Sequence, residues 1–484
     1  MTQLAVFEDS LAPYGDAYGP GLMNNFAPLG GEFGPQKLKV LSGKVPADLN
    51  GVYLRAGPNI RFEPTGRYHP FDGDGMIHAA RFENGEVTYR NRWVRTDAWK
   101  NEDAAGRSLH VGVRETRKGS DKPLKDTANT DLVAQGGRVL ALWYLSGDAY
   151  EIDPVTLETK GKCPGVLASG GAISAHAKVD ELTDELMFFD YGAEAPYMHY
   201  GVVGPDRKLK HFVPIDLPGA RLPHDMAITE HYSILHDLPM LYEESAFALG
   251  RHKVKFDPSL PARLGVIPRY GAADSIRWFE FSPCFIYHVV NAWEEGDWVV
   301  MSGCRYMPVL DQNGEIDAVR TARDVAELVM HARLWVWRMN MRTGQTSEEM
   351  LDADRNIEFP TYNSRLSGRR TRFGYFVDHS ETRTLQWYGV RKCDLDTGES
   401  LGAWSDSPAH SYYSEPWFAA ADDYVAEDDG YVVAFQWNEK LNRETLDIFD
   451  ARAIGDGPVA QLEVPIRVPS GFHACWLAAD RMTR

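Results

Sequence analysis

Four histidines stand in apolar or small-residue surroundings, where an imidazole is expected to be buried. They are His176 in Ser-Ala-His-Ala-Lys-Val, His224 in Leu-Pro-His-Asp-Met-Ala-Ile-Thr, His473 in Pro-Ser-Gly-Phe-His-Ala-Cys-Trp, and His288 in the run Phe281-Ser-Pro-Cys-Phe-Ile-Tyr-His-Val-Val-Asn-Ala-Trp-Glu-Glu295. A buried imidazole needs a partner, and the neutral ring is the commonest protein ligand for iron, copper and zinc. One such histidine alone reads more readily as a core residue bonded to a backbone carbonyl. Four in comparable settings move the balance toward a metal. By contrast His69, His211, His236, His252 and His410 stand among Pro, Lys, Arg or Asp and read as surface residues.

Four neutral nitrogen donors with no carboxylate or thiolate make an unusual ligand set. Structural zinc usually takes cysteine, and catalytic zinc takes three ligands and a water. On an iron(II) ion of octahedral habit, four imidazoles leave two positions open, which is what an oxygenase needs. A rival triad of two histidines and one carboxylate would use His379-Ser-Glu381 with His473, but polar, turn-like neighbours place His379 at the surface. Ligating rings need their free N–H oriented by a second group. Glu358 in Ile-Glu-Phe-Pro and Glu415 in Ser-Glu-Pro-Trp are the acidic residues in apolar settings, the alternative being solvated glutamates at strand ends. The chain has no His-Glu-x-x-His, Walker loop or Gly-x-Ser-x-Gly elbow, which removes the common hydrolase and NTPase readings.

The four histidines are too far apart in sequence for one helix or loop to collect them. A closed, radial sheet can, because the inner strand of each repeat points at a common axis. The chain reads as short strands separated by turn chemistry, as in Glu83-Asn-Gly-Glu86, Gln135-Gly-Gly-Arg138, Asp311-Gln-Asn-Gly314 and Asp396-Thr-Gly-Glu399. Asn-Gly and Asp-Gly supply the positive φ that tight hairpins require. Only Thr321 to about Arg333 reads as a helix. The expectation is an all-β propeller of several four-stranded blades in residues 41–484, with residues 1–40 as a segment wrapping it.

Composition bounds the rest. With 51 basic and 69 acidic residues in 484, the net charge of −18 argues against nucleic acid and against an electrostatic membrane anchor. No apolar run approaches the roughly 18 residues of a membrane span. The opening Met1-Thr-Gln-Leu-Ala-Val-Phe-Glu-Asp lacks the pattern of a signal peptide, so a cytoplasmic location is expected. Five scattered cysteines without a Cys-x-x-Cys pair read as reduced thiols.

Several longer motifs carry a resemblance: Gly51-Val-Tyr-Leu-Arg-Ala-Gly-Pro-Asn59, Phe71-Asp-Gly-Asp-Gly-Met76, Ala128-Asn-Thr130, the segment from His224, Asn291-Ala-Trp-Glu294, Glu427-Asp-Asp-Gly430 and the terminal Gly-Phe-His473. Over nearly its whole length the chain resembles the carotenoid cleavage oxygenases, which include the bacterial lignostilbene dioxygenases. The resemblance implies a seven-bladed β-propeller with loops and short helices over an axial iron(II). Residues matching His176, His224, His288 and His473 would ligate it, Glu358 and Glu415 would stand behind the ligands, and Thr130 would crowd one open position. It implies oxidative cleavage of an alkene C=C bond by dioxygen to two carbonyl products, with no cofactor beyond the iron, and leaves room for a homodimer.

Two departures stand out. A third supporting glutamate is missing from Ala141-Leu-Trp143-Tyr144, where the following turn is also longer by one residue. The tyrosine and lysine that hold a phenol in stilbene cleavers fall near Val113 and at Trp143, so the phenol clamp is absent. Trp143, Tyr144 and Phe285 are candidates to line the pocket with Val113. An aryl alkene such as a lignostilbene, another stilbene or a phenylpropene competes evenly with an apocarotenoid as substrate. Leu238-Pro-Met-Leu-Tyr242 reads as a buried loop rather than a membrane-facing patch. The alternatives are a non-cleaving isomerase or hydrolase on the same fold, and a metal-containing propeller that serves as a binding module.

Overall fold

Short apolar runs closed by Gly, Asn and Asp become antiparallel sheet along most of the chain. The computed structural model describes residues 22–115, 124–247, 253–380, 385–408 and 410–482. Five four-stranded sheets follow in order, with first strands Asp131–Gln135, Lys178–Asp180, Ala227–Ile228, Phe285–Glu295 and Ile357–Thr361. A sixth begins with Ser411–Tyr413 and Trp417–Ala420, both paired to Gly430–Asn438. The seventh closes the ring: Ala474–Ala478, near the C-terminus, pairs with Gly51–Pro58. The architecture is the expected seven-bladed β-propeller.

Hairpin chemistry works as the sequence indicates. Asn84 and Gly85 take φ +52 and +79 between strands Gly75–Glu83 and Glu86–Trp93, and Gly136 and Gly137 take +57 and +72 at the next such turn. These left-handed pairs match the twist of the flanking strands. The inner strand Phe285–Glu295 is buried without interruption from Phe285 to Trp293. Neighbouring blades cover both its faces, so the usual alternation of apolar and polar residues disappears.

Several expectations need correction. The helix runs Ala318–Ala326, not Thr321 to Arg333: the Asp317 side chain caps it by accepting from Arg320 N–H, and Leu328 turns left-handed at φ +57 just beyond its end. Arg333 lies in strand Ala332–Asn340, where Leu-Trp-Val-Trp follows strand periodicity. A second helix, Asp97–Ala105, was not expected; Thr96 caps its start and Gly106, at φ +65, its end. Phe33–Lys37 extends the seventh blade and Lys39–Gly43 the sixth. Residues 1–21 lie outside the described residues.

His69, His236 and His379 are buried, not surface residues. Their charged or polar sequence neighbours point elsewhere while the rings pack inward. His211 and His410 are partly exposed, and His252 lies outside the described residues. Leu238, Met240 and Tyr242 are buried as expected. Among the described residues no helix is long and apolar enough to cross a membrane.

Candidate metal centre

Six of the seven inner strands carry, within or close to their starts, a polar residue that matters at the axis. In order round the ring these are His176, His224, His288, Glu358, Glu415 and His473, and the remaining blade supplies Thr130 and Asp131. One ring nitrogen from each of His176, His224, His288 and His473 lies within 4.8 Å of the others, and all four side chains are buried.

The ring order decides which histidine has a carboxylate beside it. Glu358 follows His288, and its Oε2 lies 2.5 Å from His288 Nδ1. Glu415 precedes His473, and its Oε1 lies 3.1 Å from His473 Nδ1. His176 follows Asp131, whose Oδ2 accepts the His176 main-chain N–H at 2.9 Å and sits 3.9 Å from the ring. That contact helps hold His176 at φ +67, a region few residues other than glycine adopt. His224 lies between two histidine blades, and its Nδ1 has no hydrogen-bond partner among the described residues.

Backbone irregularity aims the supporting groups. Phe359, at φ +50, breaks the pairing between Glu358 and Thr361, and its ring lies 4.7 Å from both His288 and His473. Asp225, next to His224, accepts the Val289 N–H at 2.7 Å and pairs with Lys178 at 2.7 Å. Asp131, Asp225 and Phe359 were missed in the sequence. Asp131 and Asp225 each adjoin a residue already singled out, which is the signal that was available.

The donor chemistry fits a divalent transition metal. Burial holds His176, His224 and His288 well below the usual imidazole range, so they are neutral, the ligating form. At His473 burial pushes down, but the charge and hydrogen bond of Glu415 prevail and the value rises. His224 Nε2 and His288 Nε2 face each other at 3.3 Å, and His176 Nε2 is buried without a protein partner. Converging lone pairs of this kind suit a cation between them.

Two cavities of about 130 Å³ each flank the ring. One follows the inner strands past the histidines and carries charged groups, Asp131, Lys178, Asp225 and Glu415, in its wall. The other lies on the side of the residues that precede the histidines and is mainly apolar, lined by Phe71, Val113, Tyr144, Leu222, His224 and Tyr287 among others. Val113 and Tyr144 are thus part of this wall. Trp143 and Phe285 are not among the lining residues. Trp143 is turned inward, its indole N–H donating to Phe71 O at 3.1 Å, and Phe285 packs against Tyr287 at 4.9 Å. Thr130 is buried beside the centre: its carbonyl accepts the His473 N–H at 3.1 Å, and its hydroxyl donates to Asn129 Oδ1 at 2.9 Å.

Residues 26–478 match the family model described as retinal pigment epithelial membrane protein. The chain belongs to the carotenoid cleavage oxygenase family. It is 33% identical over 496 residues to a carotenoid 9,10(9',10')-cleavage dioxygenase of Crocus sativus, covering 95% of this chain and 89% of that protein. It is 30% identical to the isoeugenol monooxygenase of Pseudomonas nitroreducens, over 90% and 94% of the two chains. The crystal structure of Pseudomonas brassicacearum lignostilbene dioxygenase superimposes with a TM-score of 0.83 at 27% identity, covering 95% of this chain and 99% of that one. As a carotenoid cleavage oxygenase the chain is an enzyme of the alkene-cleaving dioxygenase type, and the four-histidine cluster is its metal-binding centre.

Proposed function

We propose that the protein is a non-haem iron(II) dioxygenase that cleaves the C=C bond of an apolar conjugated alkene, taking both product oxygens from dioxygen. His176, His224, His288 and His473 hold the iron. Glu358 and Glu415 orient two of those rings, Thr130 shapes the open side, and residues 41–484 act as one catalytic unit. Bound iron(II) supplies the activation of dioxygen toward the alkene. The alkene itself provides all the electrons, so one C=C and one O₂ become two C=O groups and no external reductant enters.

The protein's own part is placement and exclusion of water. The apolar cavity beside His224 offers mainly ring faces and aliphatic groups, with the Arg114–Glu327 pair, 3.5 Å apart, as the charged groups in its wall. The Tyr287 hydroxyl donates to Val325 O at 2.8 Å, and those of Tyr144 and Tyr242 are engaged with Tyr191. His69 accepts from Phe71 N–H at 3.1 Å through Nδ1 and reaches Ala326 O at 3.2 Å through Nε2. Val113 presents only methyl groups, and Trp143 points away. A 4-hydroxyl placed among these rings, away from Arg114 and Glu327, would thus be buried without a partner, at about 1–3 kcal/mol. That lining is the observation that favours an apocarotenoid over a phenolic stilbene or phenylpropene.

The deciding experiment is anaerobic reconstitution with iron(II), then oxygen uptake with an apocarotenal, a 4-hydroxystilbene and a vinylphenol, with ¹⁸O₂ and mass spectrometry of products. Uptake with the apocarotenal and label in both carbonyls is expected. Turnover of the phenolic alkenes alone would overturn the substrate class, and conversion without uptake would indicate a non-cleaving reaction.

A further inference from the structure

The four histidines are not supported alike. His288 and His473 each place Nδ1 against a buried carboxylate, whereas His224 Nδ1 meets no hydrogen-bonding group among the described residues. What surrounds His224 is aromatic. The Tyr144 ring lies 4.4 Å away, centroid to centroid, Tyr287 stands edge-on at 5.1 Å, and Phe285 is 6.3 Å away.

Tyr144 is itself fixed from three directions. Its main-chain N–H donates to Thr130 Oγ1 at 3.2 Å, its carbonyl accepts from the Tyr191 hydroxyl at 3.0 Å and from Ser174 Oγ at 2.9 Å, and its own hydroxyl is engaged with Tyr191. On its other face it packs against Phe71 at 4.9 Å. Such a ring can define one orientation of its neighbour without bonding to it. Aromatic pairs at this separation prefer tilted or edge-on geometry and contribute beyond area burial.

We propose that Tyr144 is a positioning residue for the metal centre: its ring, with Tyr287 edge-on, holds the His224 imidazole by packing, in place of the carboxylate that braces His288 and His473. The assignment rests on the four histidines holding the metal. It makes His224, the histidine that also lines the apolar cavity, a ligand oriented by contacts rather than by an acceptor at Nδ1. Carboxylate support typically governs metal affinity by about 10–100-fold, so the affinity of this centre depends on an aromatic side chain.

The test is equilibrium metal affinity of the full-length apoprotein, measured by competition with a chromophoric chelator for iron(II) and for cobalt(II), together with the cobalt ligand-field spectrum. Apoprotein melting curves check that each variant folds. Tyr144→Phe keeps the ring and is expected to bind within about three-fold of wild type with an unchanged spectrum. Tyr144→Leu fills space without a ring face, and is expected to bind about 10–100-fold more weakly with a shifted spectrum. Tyr144→Glu offers Nδ1 an acceptor and is expected to recover most of that loss, although it packs less well than Leu. If Tyr144 only filled volume, Leu would bind more tightly than Glu, and that order overturns the proposal. Leu with wild-type affinity and spectrum, or Phe as weak as Leu, overturns it too. Should Leu not fold, Tyr144→Met, close to Glu in size and without an oxygen acceptor, takes its place in the comparison. Failure of the underlying reading looks different, because wild type itself would then bind no stoichiometric metal.

Discussion

Glu415 holds His473 at two points: Oε1 meets the ring Nδ1 at 3.1 Å, and Oε2 accepts the main-chain N–H of the next residue, Ala474, at 2.5 Å. One carboxylate thereby sets both the ring orientation and the start of the strand that closes the propeller. Glu358 does the same in part, taking the His288 ring and its own neighbour's N–H at Phe359.

Glu415→Gln replaces one acceptor by an amide donor facing another donor. Metal affinity should fall about 10–100-fold, and the buried mismatch should cost about 1–3 kcal/mol of stability. Chelator competition and chemical unfolding of the apoprotein measure the two effects. An unchanged metal affinity would mean that Glu415 serves the strand alone.

His288→Ala removes one of the four donors while leaving the paired strand Phe285–Glu295 its backbone ladder. Bound metal, read by inductively coupled plasma analysis, should fall to background and turnover with it, while circular dichroism stays that of wild type. Stoichiometric metal with full activity would defeat the four-histidine assignment.

A hydroxyl partner for a phenolic substrate is best introduced at Val113, which lines the apolar cavity. Val113→Tyr is expected to raise kcat/KM for a 4-hydroxystilbene by about 5–10-fold, the value of one new hydrogen bond of about 1–1.5 kcal/mol. Trp143→Lys, at the position where stilbene cleavers carry the lysine by the resemblance, should instead destabilise by about 3–5 kcal/mol, because the indole it removes is core packing. A folded Trp143→Lys enzyme with improved stilbene turnover would reverse this placement.

His236 is buried with neither ring nitrogen bonded, and burial pushes its value from 6.5 down to about 3. Between those limits only the unfolded chain takes up its proton, so the contribution to stability is complete above about pH 6.5 and is lost as pH falls toward 3. His236→Phe has no such term. The unfolding free energy of wild type relative to this variant should therefore decline below pH 6.5 by up to about 1.4 kcal/mol per pH unit. Parallel curves for the two proteins would show that the imidazole is not held neutral.

The sequence by itself determined the fold class and the four axial histidines, because both are local signals. Asn84-Gly85 and Gly136-Gly137 require particular backbone angles wherever they stand, and an apolar run around His288 requires burial. Glu358 and Glu415 were legible for the same reason. What only the tertiary structure decided is set by neighbours remote in sequence. Which histidine lies beside which carboxylate follows from the order of blades round the ring, and that order leaves His224 between two other histidines. Whether Trp143 or Val113 faces the cavity depends on an indole N–H finding Phe71 O, 72 positions away. His69, His236 and His379 misread for the same physical reason: a side chain's surroundings are supplied by the strands packed against it, and in a closed ring of blades those are seldom the residues next to it in the chain.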